Sequence, residues 1–116
     1  MPLPSERDSS LYLEDMLRFC VRVIEYSGGR DMPALRADSM RFDAVLRNVE
    51  LIGEAATHVP EAVRLAHADI PWRLVIATRN RLIHGYLGID DDTVWSIVSV
   101  DIPALREKLS ELLRNR

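Results

Sequence analysis

The chain has 116 residues, a length that suits a single domain with a core of its own. Hydrophobic residues make up 47% and charged residues 28%, an ordinary globular balance; the apolar runs are too short for a membrane span, and no signal-peptide pattern opens the chain. The 15 Lys and Arg against 18 Asp and Glu leave a net charge of −3, which excludes a protein that coats nucleic acid through its overall field.

Residues 1–8, with Pro2 and Pro4, are expected to form a flexible arm ahead of one domain over 9–116. Ser9 or Ser10 can cap a first helix that runs to about Tyr26 and stops at Gly28-Gly29, with Glu14 and Asp15 near its positive end. Leu13, Met16, Leu17, Cys20, Val21 and Ile24 form its apolar stripe, flanked by Tyr12, Phe19, Val23 and Tyr26. A stripe this wide serves either a helix buried on most sides or one core face and one partner face. Cys20 is the only cysteine, so no intrachain disulfide forms, and its neighbours point to an inert, buried thiol.

A linker carrying Asp31, Pro33 and Asp38 leads to a second helix, about Ser39 to His58, closed by Pro60. Phe42, Val45, Leu46, Val49, Ile52 and Ala56 recur at helical spacing as its buried face. Gly53 interrupts that helix at a cost of about 1 kcal/mol relative to alanine, the signature of a close backbone neighbour. Asp43, Arg47, Glu50 and Glu54 form its polar stripe, which a solvated salt-bridge face explains by default.

Glu61 to Ala68 can make a short helix, after which Asp69 and Pro71 open another that runs to Ile83 or His84 and ends at Gly85. The run Asp90-Asp91-Asp92 caps a last helix whose apolar stripe extends to Leu112, and Pro103 is expected to break or kink it. No segment alternates as a half-buried strand would. The predicted fold is all-α, an up-and-down bundle of four to five helices.

The helix from Pro71 to His84 carries the chemistry. Trp72, Val75, Ile76, Leu82 and Ile83 form its expected buried stripe, and Arg79 falls inside that stripe, where a cation needs a partner or a cleft. Asn80 and His84 are four residues apart and share a face, and Gly85 can let His84 turn toward Arg79. RNA strand scission needs a base for the 2′-hydroxyl, donors for the phosphorane oxyanion and an acid for the leaving oxygen. Histidine can move the protons and arginine can hold the charge. The nucleophile belongs to the substrate, so neither metal nor cofactor is expected; His58, His67 and His84 also lack a His or Cys at ligand spacing. His58 and His67 read as surface residues.

An Arg-x4-His pair alone carries little weight, because such short motifs arise by chance. The longer string RNRLIHGY at 79–86 resembles the HepT toxins of the HEPN superfamily, whose signature is Arg-x4-6-His. LRNVELIGEAA at 46–56, IPWR at 70–73 and VWSIVSVDIPAL at 94–105 are similar to the helix signatures of that family, so the resemblance spans about residues 8–114. It implies a homodimeric, metal-independent RNase toxin of the cytoplasm, with Arg79 and His84 as its catalytic pair and two RNRLIHGY segments lining a shared cleft. It also implies an antitoxin, a small nucleotidyltransferase of the MNT type that transfers AMP to Tyr86.

Other readings of these residues stay open. Arg79 can pair with Glu50 or Glu54, and Asn80 can support the active site or merely end the helix. Arg47, Arg73 and Arg81 are candidate phosphate contacts or solvated charges. Tyr86 could anchor the loop, and His84 could cap carbonyls. A non-catalytic dimer that holds RNA or a nucleotide for the transferase is the alternative function. A phosphorelay bundle fits poorly, because His84 abuts a helix-ending glycine and Lys108 is the only lysine.

Overall fold

A computed structural model describes residues 4–85 and 88–115 of the chain. Among them every regular element is helical: α1 (Pro4–Ser27), α2 (Met32–Ala37), α3 (Ser39–Thr57), α4 (Glu61–Ala66), α5 (Trp72–Gly85), α6 (Asp91–Ser96), a π-helical turn (Ile97–Asp101) and α7 (Ile102–Arg114). The predicted all-α bundle is therefore what forms. No helix among the described residues is long and apolar enough to cross a membrane.

The core grows from two long helices. Leu13, Met16, Cys20 and Val23 of α1 are fully buried, and Val45, Val49, Ile52 and Ala56 of α3 face them with almost no exposure. On its other flank α3 meets α5, while α7 covers the far side of α1 with Leu105, Leu109 and Leu112. Val94, Val98 and Ile102 close the bundle from the last helical run. Burial pushes the Cys20 thiol up to about 12, so it behaves as the small hydrophobe that its neighbours suggested.

Local chemistry explains the elements and their ends, and four features differ from expectation. The backbone is already helical at Pro4, so Ser9 and Ser10 lie inside α1 and do not cap it. The Asp31–Asp38 linker folds as α2: the Asp31 carboxylate accepts from the Ala34 N–H at 2.9 Å, and Pro33 preorganises the first turn. Asp38 then serves two helices, its N–H closing α2 on the Leu35 carbonyl while its carboxylate caps α3 at the Arg41 N–H. Pro103 does not break the last helix. The π turn absorbs it: the Ile102 N–H reaches back five residues to the Ile97 carbonyl, and the widened turn accommodates a ring with no N–H to donate.

Asp90 caps α6 as predicted, its carboxylate accepting from the Thr93 N–H at 2.7 Å. At the opening of α5, Pro71 and not Asp69 accepts the first-turn bond, from the Val75 N–H at 3.0 Å. The buried Trp72 indole then donates to the Arg64 and His67 carbonyls at 3.1 and 3.0 Å, tying the start of α5 to the end of α4. Lys108 fastens α7 to the same corner through the Asp69 carbonyl at 2.7 Å.

Candidate active site

Two helices cross at Gly53. A Cβ placed on Gly53 would lie 2.2 Å from the Arg79 Cβ, 2.9 Å from its Cγ and 2.9 Å from the Val75 carbonyl oxygen. Only a glycine lets α5 settle this closely on α3, and the stem of Arg79 fills the space a side chain would take. The sequence signal, a glycine inside a helical pattern, has this contact as its cause.

That crossing sets the Arg79 guanidinium. Its Nη2 donates to Glu54 Oε2 at 2.5 Å and its Nη1 donates to Asn80 Oδ1 at 2.8 Å. Nε is buried, with no hydrogen-bond partner among the described residues. A guanidinium has five N–H donors, so one on each Nη is left by the Asn80 and Glu54 bonds and the enclosed Nε. Such uncommitted guanidinium donors are suited to phosphate oxygens. The Arg79 side chain is 27% exposed, half-buried but reachable.

Of the two candidate partners for Arg79, Glu54 takes the role and Glu50 does not; Glu50 pairs with Arg47 at 2.8 Å on its own helix. Arg79 holds the Glu54 carboxyl below its ordinary range, first by the hydrogen bond and then by charge, with His58 acting in the same direction and partial burial opposing. His58 Nε2 stands 3.5 Å from Glu54 Oε1, and its ring stacks on Tyr12 of α1 with centroids 5.0 Å apart and planes inclined by 18°. Sequence reading placed His58 on the surface without a role. The available signal was its position four residues after Glu54, on the same helical face; the Tyr12 contact crosses between helices and left no trace in spacing.

His84 lies five positions after Arg79, which on an α-helix is about 7.5 Å along the axis and about 140° around it. The two therefore leave α5 from different faces, and Asn80 stands between them, bonded to Arg79 and one turn before His84. His84 is exposed on the last turn of α5. Gly85 follows it with φ +155, a conformation that favours glycine. Tyr86 lies outside the described residues. Arg47 is occupied by Glu50, while Arg73 and Arg81 are exposed on α5. Arg81 contributes to holding the Asp90 carboxyl low, after the side-chain and backbone hydrogen bonds from Thr93, which places it near the α6 cap.

One expectation for α5 fails. Ile83 was placed on the buried stripe, yet it is 45% exposed, while Trp72 and Leu82 are buried and Val75 and Ile76 half-buried. α3 is the helix that α5 packs on extensively, and Ile83 lies one turn beyond Arg79, toward the end of α5.

The family model described as "Ribonuclease HepT-like" matches residues 16–112, a span that holds Glu54, Arg79, Asn80 and His84. "Probable ribonuclease HepT" of Thermococcus cleftensis is 34% identical over 92% of this chain and 97% of its own length. A provisionally named RNase of Caldanaerobacter subterraneus subsp. tengcongensis is 32% identical over 89% of this chain and 92% of its own. Another from Methanocaldococcus jannaschii is 34% identical over 90% of this chain and 96% of its own. No solved structure matches.

Proposed function

Because the chain belongs to the HepT-like ribonuclease family, we propose that it is an endoribonuclease toxin whose catalytic residues are Arg79 and His84. The supporting observation is the Arg79 guanidinium, oriented by Glu54 and Asn80 and half-buried but reachable, on the same helix that carries His84 in its last turn. His84 takes the proton of the ribose 2′-hydroxyl as the 2′-oxygen bonds to phosphorus. The bond from phosphorus to the 5′-oxygen breaks and that oxygen is protonated, leaving a 2′,3′-cyclic phosphate and a 5′-hydroxyl. Arg79 stabilises the extra negative charge of the phosphorane, as a preorganised donor does best. The scheme uses no metal.

The 140° between the two side chains supports a second part of the reading. In a homodimer with the two RNRLIHGY segments on a common cleft, one phosphate can meet Arg79 and His84 without both leaving the same helix face. Two His84 imidazoles would also supply a base and an acid. As antitoxin we propose an MNT-type nucleotidyltransferase that transfers AMP to Tyr86. The added phosphate charge, two residues from His84, would repel the RNA backbone.

Purified protein, cleavage-assayed with a chelator present, tests the mechanism. His84→Ala and Arg79→Ala should each abolish RNA cleavage with unchanged helicity. Wild-type rates in His84→Ala would remove the mechanism, and absence of cleavage by the wild-type chain would leave the non-catalytic binding reading. For the partner, co-expression with the neighbouring transferase should add AMP mass to the Tyr86 peptide in wild type and not in Tyr86→Phe.

A further inference from the structure

Glu54 touches two groups at once. One carboxylate oxygen holds Arg79 at 2.5 Å, and the other lies 3.5 Å from the His58 imidazole. The guanidinium and the imidazole are therefore separated by a single carboxyl group, less than about 9 Å given two carbon–oxygen bonds of about 1.23 Å. That is within the reach of one nucleotide, from its phosphate to its base.

Resting on the reading that this chain acts on RNA, we propose that the open face of His58 is a nucleobase-stacking subsite beside the phosphate position of Arg79. Tyr12 covers one face of the ring, and 52% of the His58 side chain remains exposed. With one face against Tyr12 and Nε2 turned to Glu54, the opposite face is the part of the ring that neither contact occupies. A base laid on that face continues the stack begun by Tyr12. Tyr12 is a positioning residue here: it backs the imidazole, and Glu54 fixes its edge. Single-stranded RNA presents unstacked bases to such platforms, and because every base has a flat face the subsite is tolerant of sequence. It fixes the spacing between the stacked base and the scissile phosphate, not the identity of that base.

The test is binding of a short single-stranded RNA carrying 2-aminopurine, whose fluorescence is quenched on stacking, to the full chain bearing His84→Ala so that the RNA survives. Adding His58→Ala should weaken binding about tenfold to a hundredfold and remove the quench. Adding His58→Phe should keep both, whereas His58→Gln should behave as His58→Ala. Circular dichroism checks that each variant is folded. A quench that persists in His58→Ala overturns the proposal, as does full affinity in His58→Gln, which would mean that the ring edge and not its face is used. If the wild-type chain cuts no RNA while the quench still depends on His58, the stacking subsite stands and the catalytic reading falls. If cleavage is intact with the same KM in His58→Ala, catalysis stands and the subsite falls. No RNA binding by any variant removes both.

Discussion

Gly53 of α3 and Arg79 of α5 occupy one another's space: a Cβ on the glycine would stand 2.2 Å from the Cβ of the arginine. Helix propensity alone favours Gly53→Ala by about 1 kcal/mol. The contact reverses the sign. Nothing at 2.2 Å is a flexible chain end, and the Val75 carbonyl at 2.9 Å is backbone, so α5 must move off α3. We expect a net loss of about 1–3 kcal/mol in urea denaturation, the usual cost of overpacking. Cleavage should fall with it, because the displaced element carries the guanidinium. A more stable variant would show that the crossing can relax.

Glu54 controls where the Arg79 guanidinium points, and the partnership can be removed without touching Arg79. Glu54→Gln keeps the shape of the side chain and loses the charge that draws Nη2. RNA cleavage should drop about tenfold to a hundredfold, the penalty for a misplaced catalytic group. Glu50→Gln, on the same stripe but paired with Arg47, should leave the rate close to wild type. Equal losses in the two variants would mean that net charge and not Arg79 geometry is being read.

That contrast marks the limit of what spacing conveys. The helix stop at Gly28, the Asp90 cap and the buried face of α3 are local features and were legible in the chain, as were Leu13, Met16 and Cys20 of α1. Val23, expected beside the stripe, is instead fully buried, and Leu17, Val21 and Ile24 are half-buried. The choice between Glu50 and Glu54 was not legible, since both lie on one polar stripe and only the crossing at Gly53 decides which one Arg79 reaches. The Tyr12–His58 stack joins residues 46 apart in sequence and has no periodic signature. α2 is too short for a pattern to accumulate, and Ile83 reads as core because a wheel shows a face without showing where the neighbouring helix lies. Local propensity fails at Pro103 for a related reason: packing on both sides holds the helix together and a π turn takes up the misfit.

Acid should unfold the chain through carboxylates whose folded-state values are lowered: Glu54 by Arg79, Asp38 by the Arg41 N–H, and Asp90 by Thr93. A lowered folded value means that the stabilisation is fully present above the unfolded-state value, about 4 for these groups, and is lost as pH falls through the folded one. The melting temperature should therefore be flat from neutrality to about pH 5 and decline below it. Asp38→Asn should melt lower at pH 7 and lose less on acidification, since one of the titrating caps is gone. A melting temperature that rises as pH drops from 5 to 3 would contradict the assignment.

Stability and chemistry should separate along α5. Trp72 begins the helix about 18 Å from His84, at 1.5 Å per residue, and its indole N–H serves two carbonyls of the α4 corner. Trp72→Phe keeps a large ring in the core and leaves the Arg64 and His67 carbonyls without that donor. The cost should be about 1–3 kcal/mol, that of the lost indole hydrogen bonds plus a smaller ring, with both carbonyls keeping a backbone donor from the His67 and Ile70 N–H. Cleavage per folded molecule should stay near wild type, because the Gly53 crossing lies between Trp72 and the catalytic turn and holds Arg79 independently of the α4 corner. Denaturation curves and specific activity measured on one preparation separate the two effects. A rate loss as large as that of Glu54→Gln would show that α5 moves as a rigid rod, with its two ends coupled through the crossing.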